Sequence, residues 1–367
     1  MNKKIISLGL VLFFLFGIYI FKITAQIPEE MKNKIVINKE DSPFGVLEFL
    51  PWNHPWNNYK YPDEESLEKV VKLMKLAGVS WVRMDFLWDE IEPEPDKFVF
   101  EKYDKIVDLL CKNNIEILGI LGYSAIWASS QGTWNSCPKD NQKFVNYAVK
   151  VTKHYKDKIK FWEIWNEPDS RIYWIEQDGL KRYCALLKDV YLGIKKVVPD
   201  CKILNGGLSA GLASVNRIYD NGVGDYFDIL NLHIFESPLN PAALKSVSSY
   251  VQLAYKIMLR NGNGHKKIWI TEIGSPGVKR GFKVNPWWLG KNPTEFQQAK
   301  WLKDVYTMLL NEPQVEKIFW AFFRDCKEHW NNGIDYFGLI RWDFTKKPAF
   351  FAYQRCVNAW ERKKIKN

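Results

Sequence analysis

The chain lacks the spacings that mark metal and redox chemistry. Its six cysteines, at 111, 137, 184, 201, 326 and 356, form no C-x-x-C pair and no metal-ligand pattern. Histidine is scarce, five in 367 residues, and only His233 closes a candidate strand. A metal-dependent hydrolase would need several His and Asp ligands together, so that class is set aside, with no metal and no cofactor implied. There is no low-complexity tract, and no Pro-, Gly- or Ser-rich linker divides the chain. Lysine and arginine exceed aspartate and glutamate by 52 − 42 = 10. That surplus is scattered over helix faces and the two ends, without a block long enough for a nucleic-acid arm.

What is present is a globular composition, 47% hydrophobic and 26% charged, unusually rich in tryptophan at 17 residues. The N-terminus carries Asn2-Lys3-Lys4, then an apolar run from Ile5 to Phe21, then Lys22-Ile23-Thr24-Ala25. A basic flank before such a run is an export signal. The run exceeds the roughly 7–15 residues of a signal-peptide core and falls short of the roughly 20 that span a bilayer. Residues 1–25 therefore read as a signal peptide cleaved after Ala25 or as a retained membrane anchor. Either reading predicts a secreted or cell-surface protein.

From residue 42 to about 362, short apolar runs alternate with helical patterns. The runs begin with Phe44–Leu47, Ser80–Asp85, Ile115–Leu121 and Ile159–Trp165. Cys201–Gly207, Asp228–His233, Lys267–Glu272 and Val315–Phe323 follow. Leu67, Val70, Val71 and Met74 show the i, i+3, i+4, i+7 spacing of a helix face, and Gly78 stops that helix. Similar faces run through Tyr103–Leu110, Phe144–Tyr155, Tyr183–Val197, Leu244–Leu259, Thr294–Leu310 and Ala349–Arg362. Strands apolar enough to be buried on both faces argue for parallel pairing. Eight such units predict an α/β fold, a single (β/α)8 TIM barrel.

In a barrel of this kind, chemistry sits where the strands end. The polar or aromatic residues at those ends are Arg83, Asn166, Glu167, His233, Glu272 and Trp320. Asn166-Glu167-Pro168 follows one apolar strand, and Thr271-Glu272-Ile273-Gly274 lies in another. The pair resembles the two signatures of the retaining glycoside hydrolases of clan A, whose glutamates end strands four and seven. Leu87-Trp88-Asp89-Glu90-Ile91-Glu92-Pro93 resembles the loop after strand two in families 39 and 42 of that clan. Tyr123-Ser124-Ala125-Ile126-Trp127-Ala128 is similar to their strand-three end.

The resemblance implies a glycosidase with Glu272 as nucleophile and Glu167 as acid/base. Retention of configuration needs one carboxylate to attack and one carboxylic acid to protonate the leaving oxygen, roughly 5–5.5 Å apart. Arg83 is expected to stabilise the Glu272 anion, Asn166 to hydrogen-bond the sugar 2-hydroxyl, and Trp320 to form an apolar floor under the ring. His233 is read either as a sugar contact or as a structural histidine. The clan's usual tyrosine after strand six is replaced by Phe235, with Tyr123 a candidate substitute. Trp52, His54, Trp56, Trp127, Trp134, Trp287, Trp288, Trp330 and Trp342 lie in loops after strands and suit an oligosaccharide or polysaccharide, on whose CH faces aromatic rings stack. The competing expectations are a transglycosylase and a catalytically weak carbohydrate-binding barrel, the latter motivated by Phe235.

Overall fold

The computed structural model describes residues 39–178, 180–279, 291–327 and 334–366. The N-terminal run Ile5–Phe21 and Trp287, Trp288 and Trp330 lie outside the described residues. Among the described residues, eight strands form the main sheet: β1 Phe44–Leu47, β2 Trp81–Leu87, β3 Glu116–Gly122, β4 Phe161–Ile164, β5 Lys202–Asn205, β6 Leu230–Phe235, β7 Ile268–Gly274 and β8 Val315–Ala321, while Cys326–Lys327 and Ile334–Asp335 form a separate short antiparallel pair. The eight pair in parallel in the order β5-β4-β3-β2-β1-β8-β7-β6. Parallel bridges Leu204–Ile229 and Leu208–Leu232 join the two ends of that order. The sheet thus closes into a TIM barrel.

A helix follows each strand: α1 Glu64–Ala77, α2 Glu101–Lys112, α3 Asn141–His154, α4 Lys181–Val197, α5 Leu212–Asp220, α6 Ala243–Arg260, α7 Glu295–Leu309 and α8 Pro348–Lys366. The Asp63 side chain accepts from the Ser66 N–H to open α1, and Gly78, at φ 86°, closes it. A reciprocal Thr294–Gln297 box opens α7. Among the described residues no helix is long and apolar enough to cross a membrane, and all six cysteines are free thiols.

Strand alternation divides the core into two layers. Outward residues such as Val82, Met84, Phe86, Trp162 and Ile164 pack in the main cluster with helix residues such as Val107, Tyr147 and Tyr183. Inside the barrel, Trp81, Leu118, Phe161, Leu204, Ile229, Trp269 and Phe319 form a separate apolar floor. Trp269 stacks on Phe161 and meets Trp81 edge-on, with centroids 5.0 and 5.3 Å apart. Gly45 leaves the space that the Phe319 ring fills.

Two irregularities shape the strand ends. Beyond β4, Trp165 and Glu167 adopt positive φ values of 68° and 42°, a conformation that bulky residues hold only where their surroundings impose it. The Trp165 indole donates to the Tyr173 carbonyl at 2.8 Å and its amide to Leu121, which holds the bend. In β7 the register with β6 steps from Leu232–Ile270 to His233–Glu272, so Thr271 is an extra residue. Such a bulge re-aims the side chains that follow it.

Candidate active site

Above the floor, the inward strand positions turn polar. On β2, Arg83 and Asp85 stand two residues apart and so on one face. Arg83 donates from Nε and Nη2 to both Glu163 oxygens at 2.7 and 2.8 Å. The same Nη2 reaches Asn166 Oδ1 at 2.8 Å, and Nη1 reaches Glu272 Oε1 at 2.7 Å. One buried guanidinium therefore ties β4 and the segment after it to β7. The Gly207 amide donates to Glu163 Oε1 at 3.0 Å. A side chain at Gly207 would overlap the His233 ring, so glycine is required for the close approach of β5 and β6.

His233 Nδ1 lies 2.8 Å from Glu167 Oε1 and 3.7 Å from Glu272 Oε1. Glu167, His233 and Glu272 each bring one ligand-type atom within 4.8 Å of the others, so the two glutamates nearly meet. Distance alone would let this trio face a cation. The Arg83 charge, 2.7 Å from Glu272, opposes a divalent ion there.

The electrostatics separate the two acids. Burial raises the Glu167 carboxyl to about 8, and the Asp169 charge adds to the rise while Arg83 opposes it. Burial also raises Glu272, but His233 and Arg83 pull it back and Arg83 hydrogen-bonds it directly. His233 is lowered, chiefly by burial, which favours the neutral ring. Asp85 is lifted by burial to about 7, against the pull of Arg83 and the Trp52 indole.

Five of the six residues expected from the sequence converge here. Asn166 has its oxygen fixed by Arg83, which leaves Nδ2, without a partner among the described residues, as the group that can donate. Arg83, only 1% exposed, is bound to the Glu163 and Glu272 carboxylates and the Asn166 amide, an arrangement that orders the site. His233 is 3% exposed, and its two ring nitrogens are engaged by Glu167 and Thr271. Trp320 does not reach the mouth. It pairs with the outward Val46, packs fully buried in the layer between sheet and helices, and donates its indole N–H to the Phe337 carbonyl at 2.8 Å. The floor of the mouth beside β8 is instead the next residue, Ala321, clustered with Leu47, Phe49, Trp52, Phe322 and Phe337.

Glu163 and Asp85 were not among the expected residues. A carboxylate in the middle of a buried strand requires a buried partner, and their parity with Arg83 is the signal that could have found them. Phe235 lies edge-on to Phe337, centroids 6.0 Å apart. Tyr123 has Asp85, Arg83 and Glu272 as electrostatic neighbours, yet forms no hydrogen bond to Glu272. Its ring meets Trp134 and Tyr173, 5.0 and 6.1 Å between centroids, and Tyr173 in turn feels the Glu167 charge. Among the described residues, these three rings form an aromatic cluster that approaches Glu167 through Tyr173. Trp342 is engaged elsewhere, under the Arg324 guanidinium.

Comparison with known proteins follows the same lines. The family model of glycoside hydrolase family 42, described as beta-galactosidase, matches residues 56–125. Endo-1,4-beta-xylanase B of Thermotoga neapolitana is 22% identical over 321 residues, 82% of this chain and 86% of the relative. A family 39 glycoside hydrolase from Bacteroides cellulosilyticus WH2 superposes with a TM-score of 0.70 at 24% identity. That match covers 89% of this chain but 65% of the family 39 chain. Xylanase 10B of Thermotoga petrophila RKU-1, in complex with xylobiose, gives a TM-score of 0.62 at 17% identity, covering 88% and 96% of the two chains. These structural likenesses establish the barrel, and the matches together bear out the resemblance to clan A glycoside hydrolases.

Proposed function

We propose that the protein is a retaining glycosidase that cleaves β-linked oligo- or polysaccharide outside the cytoplasm. The observation that carries this is the pair of carboxyl groups, within 4.8 Å at the mouth, with unequal surroundings. That separation suits direct attack on the anomeric carbon and leaves no room for a water between carboxylate and sugar. Glu272, held by Arg83, attacks and forms a glycosyl-enzyme. Glu167, protonated up to about pH 8, gives its proton to the departing oxygen. Water then attacks the same carbon, loses a proton to Glu167, and frees Glu272.

Asn166 Nδ2 donates to the 2-hydroxyl, a contact that strengthens as charge develops on the ring. Asp85 supplies a further hydroxyl acceptor one level above Arg83. Tyr123, Trp134 and Tyr173 give the leaving portion of the glycan a surface to stack on. The apolar N-terminal run supports export, and fractionation with N-terminal sequencing of the mature protein tests it. The test of mechanism is incubation with a 2-fluoro glycoside bearing an activated leaving group. A mass increase on Glu272 and an anomerically retained first product are expected. Binding without labelling, or an inverted product, overturns the reading.

A further inference from the structure

A chain of side-chain hydrogen bonds runs away from Glu167 beneath the mouth, and its polarity can be followed from one fixed end. The Asn231 amide N–H donates to Asn205 Oδ1 at 2.9 Å, and Asn205 Nδ2 donates to the carbonyls of Gly206 and Asn231. Asn231 Nδ2 donates to the Asn205 carbonyl at 3.2 Å. Both amides are thereby oriented, since either flip would set oxygen against oxygen or N–H against N–H. Asn231 Oδ1 is left to face Thr271, whose hydroxyl donates to it at 2.6 Å. A hydroxyl has one proton, so Thr271 Oγ1 can only accept from His233 Nε2, 3.0 Å away. All four side chains are buried.

We propose that Asn205, Asn231 and Thr271 are positioning residues that hold neutral His233 as its Nε2–H tautomer, which makes the Glu167 carboxyl the donor in the bond between them. His233 Nδ1 then offers Glu167 Oε1 a lone pair, and a single proton occupies that 2.8 Å contact. A hydrogen bond made by the neutral form of an acid favours that form. The arrangement parks the acid's proton on Oε1 in the resting enzyme. When a glycoside binds, the glycosidic oxygen competes with Nδ1 for it. The proton passes to that oxygen as its bond to the anomeric carbon breaks, with the electron pair going to the oxygen. The carboxylate left behind faces a lone pair, which makes it a stronger base toward the water that resolves the intermediate. Other charged or titratable groups facing Glu167 are Asp169 and Glu163 from its own strand and loop, Arg83 from β2, Glu272 from β7 and Tyr173. None of them hydrogen-bonds the His233 ring; the Glu272 charge, 3.7 Å from Nδ1, favours a proton on that nitrogen and is the influence that the Thr271 acceptor at Nε2 opposes.

The catalytic consequence rests on the glycosidase reading, whereas the tautomer does not. Nitrogen-15 NMR of histidine-labelled resting enzyme near pH 7 is expected to show His233 with protonated Nε2 and bare Nδ1. A neutral ring protonated on Nδ1 overturns the proposal whatever the enzyme's substrate. Thr271→Val removes the acceptor for Nε2–H, so the ring moves its proton to Nδ1 and donates to Glu167. The sign follows: the carboxylate form gains, and the basic limb of the pH–rate profile moves down by about one pH unit. Thr271→Ser, which keeps the hydroxyl, is expected to hold the limb at its parental place. A limb that stays put in the valine variant overturns the proposal, while fluorosugar labelling of Glu272 separately decides whether the enzyme is a retaining glycosidase. Should no glycoside be turned over, the Glu167 titration is read by carbon-13 NMR in the same variants, with the same expected shift and the same overturning result.

Discussion

The floor and the mouth of the barrel are built on the inner faces of the same strands, a residue pair apart, and they differ in kind. On β2 the inward sequence is Trp81, then Arg83, then Asp85. On β4 it is Phe161, then Glu163, and on β7 Trp269, then Thr271. The lower ring fills space with flat apolar groups. The upper ring is a set of buried acids and amides around one guanidinium, a costly arrangement unless each member is paired. The difference teaches that the floor serves stability and the mouth serves protonation state, so changes in the two rings should be read by different instruments.

The sharpest break is at Glu272. Glu272→Gln is expected to lower kcat on the order of 10⁵–10⁶-fold, as removal of a covalent nucleophile does, while thermal unfolding shows the fold retained. Glu167→Gln comes next, with roughly 10²–10⁴-fold loss on natural glycosides and near-parental bond cleavage when the leaving group is an activated phenol. Equal loss on both substrates would remove Glu167 from the acid role. In the floor, Trp269→Ala should cost about 3–5 kcal/mol in denaturant unfolding, and the folded enzyme should keep both limbs of its pH profile. If those limbs move, floor and mouth are not separable.

The pH profile itself sharpens the contrast. On the proposed mechanism, activity needs Glu272 ionised and Glu167 protonated. Rate should therefore rise with pH as Glu272 loses its proton, above the ordinary carboxylate range because burial raises it. It should fall again near pH 8, where Glu167 gives up its own. The smallest effect is expected from Phe235→Tyr. That ring sits in the apolar cluster with Phe337, so a hydroxyl should alter kcat by less than about tenfold, the order of a single hydrogen bond.

Much of this was readable in the chain because two simple periods carry it. The 3.6-residue spacing of Leu67, Val70, Val71 and Met74 falls on a helix at Glu64–Ala77, and both glutamates follow the apolar runs that marked their strands. What periodicity could not reach was of three kinds. α5 is short, with only Ser214, Val215 and Ile218 buried, too few for a face to show. Glu163 and Asp85 follow from the alternation of their strands only once Arg83 is known to face inward. Trp320 fails because an aromatic at a strand end has two faces open to it, and the register against β1 places it on the outer one. The partnership of His233 with Thr271 depends on an inserted residue, which no strict period of two contains.

That inserted residue has a geometric effect of its own. Each step along a strand advances the chain by about 3.3 Å. Shortening β7 by Thr271 would restore regular alternation and leave Glu272 inward, but one step lower, toward Trp269. Acids separated by roughly 6.5–9.5 Å admit a water between carboxylate and ring and reverse the configuration of the sugar, whereas the closer pair keeps it. On the proposed mechanism, the configuration of the released sugar is therefore set by a single additional link in one strand.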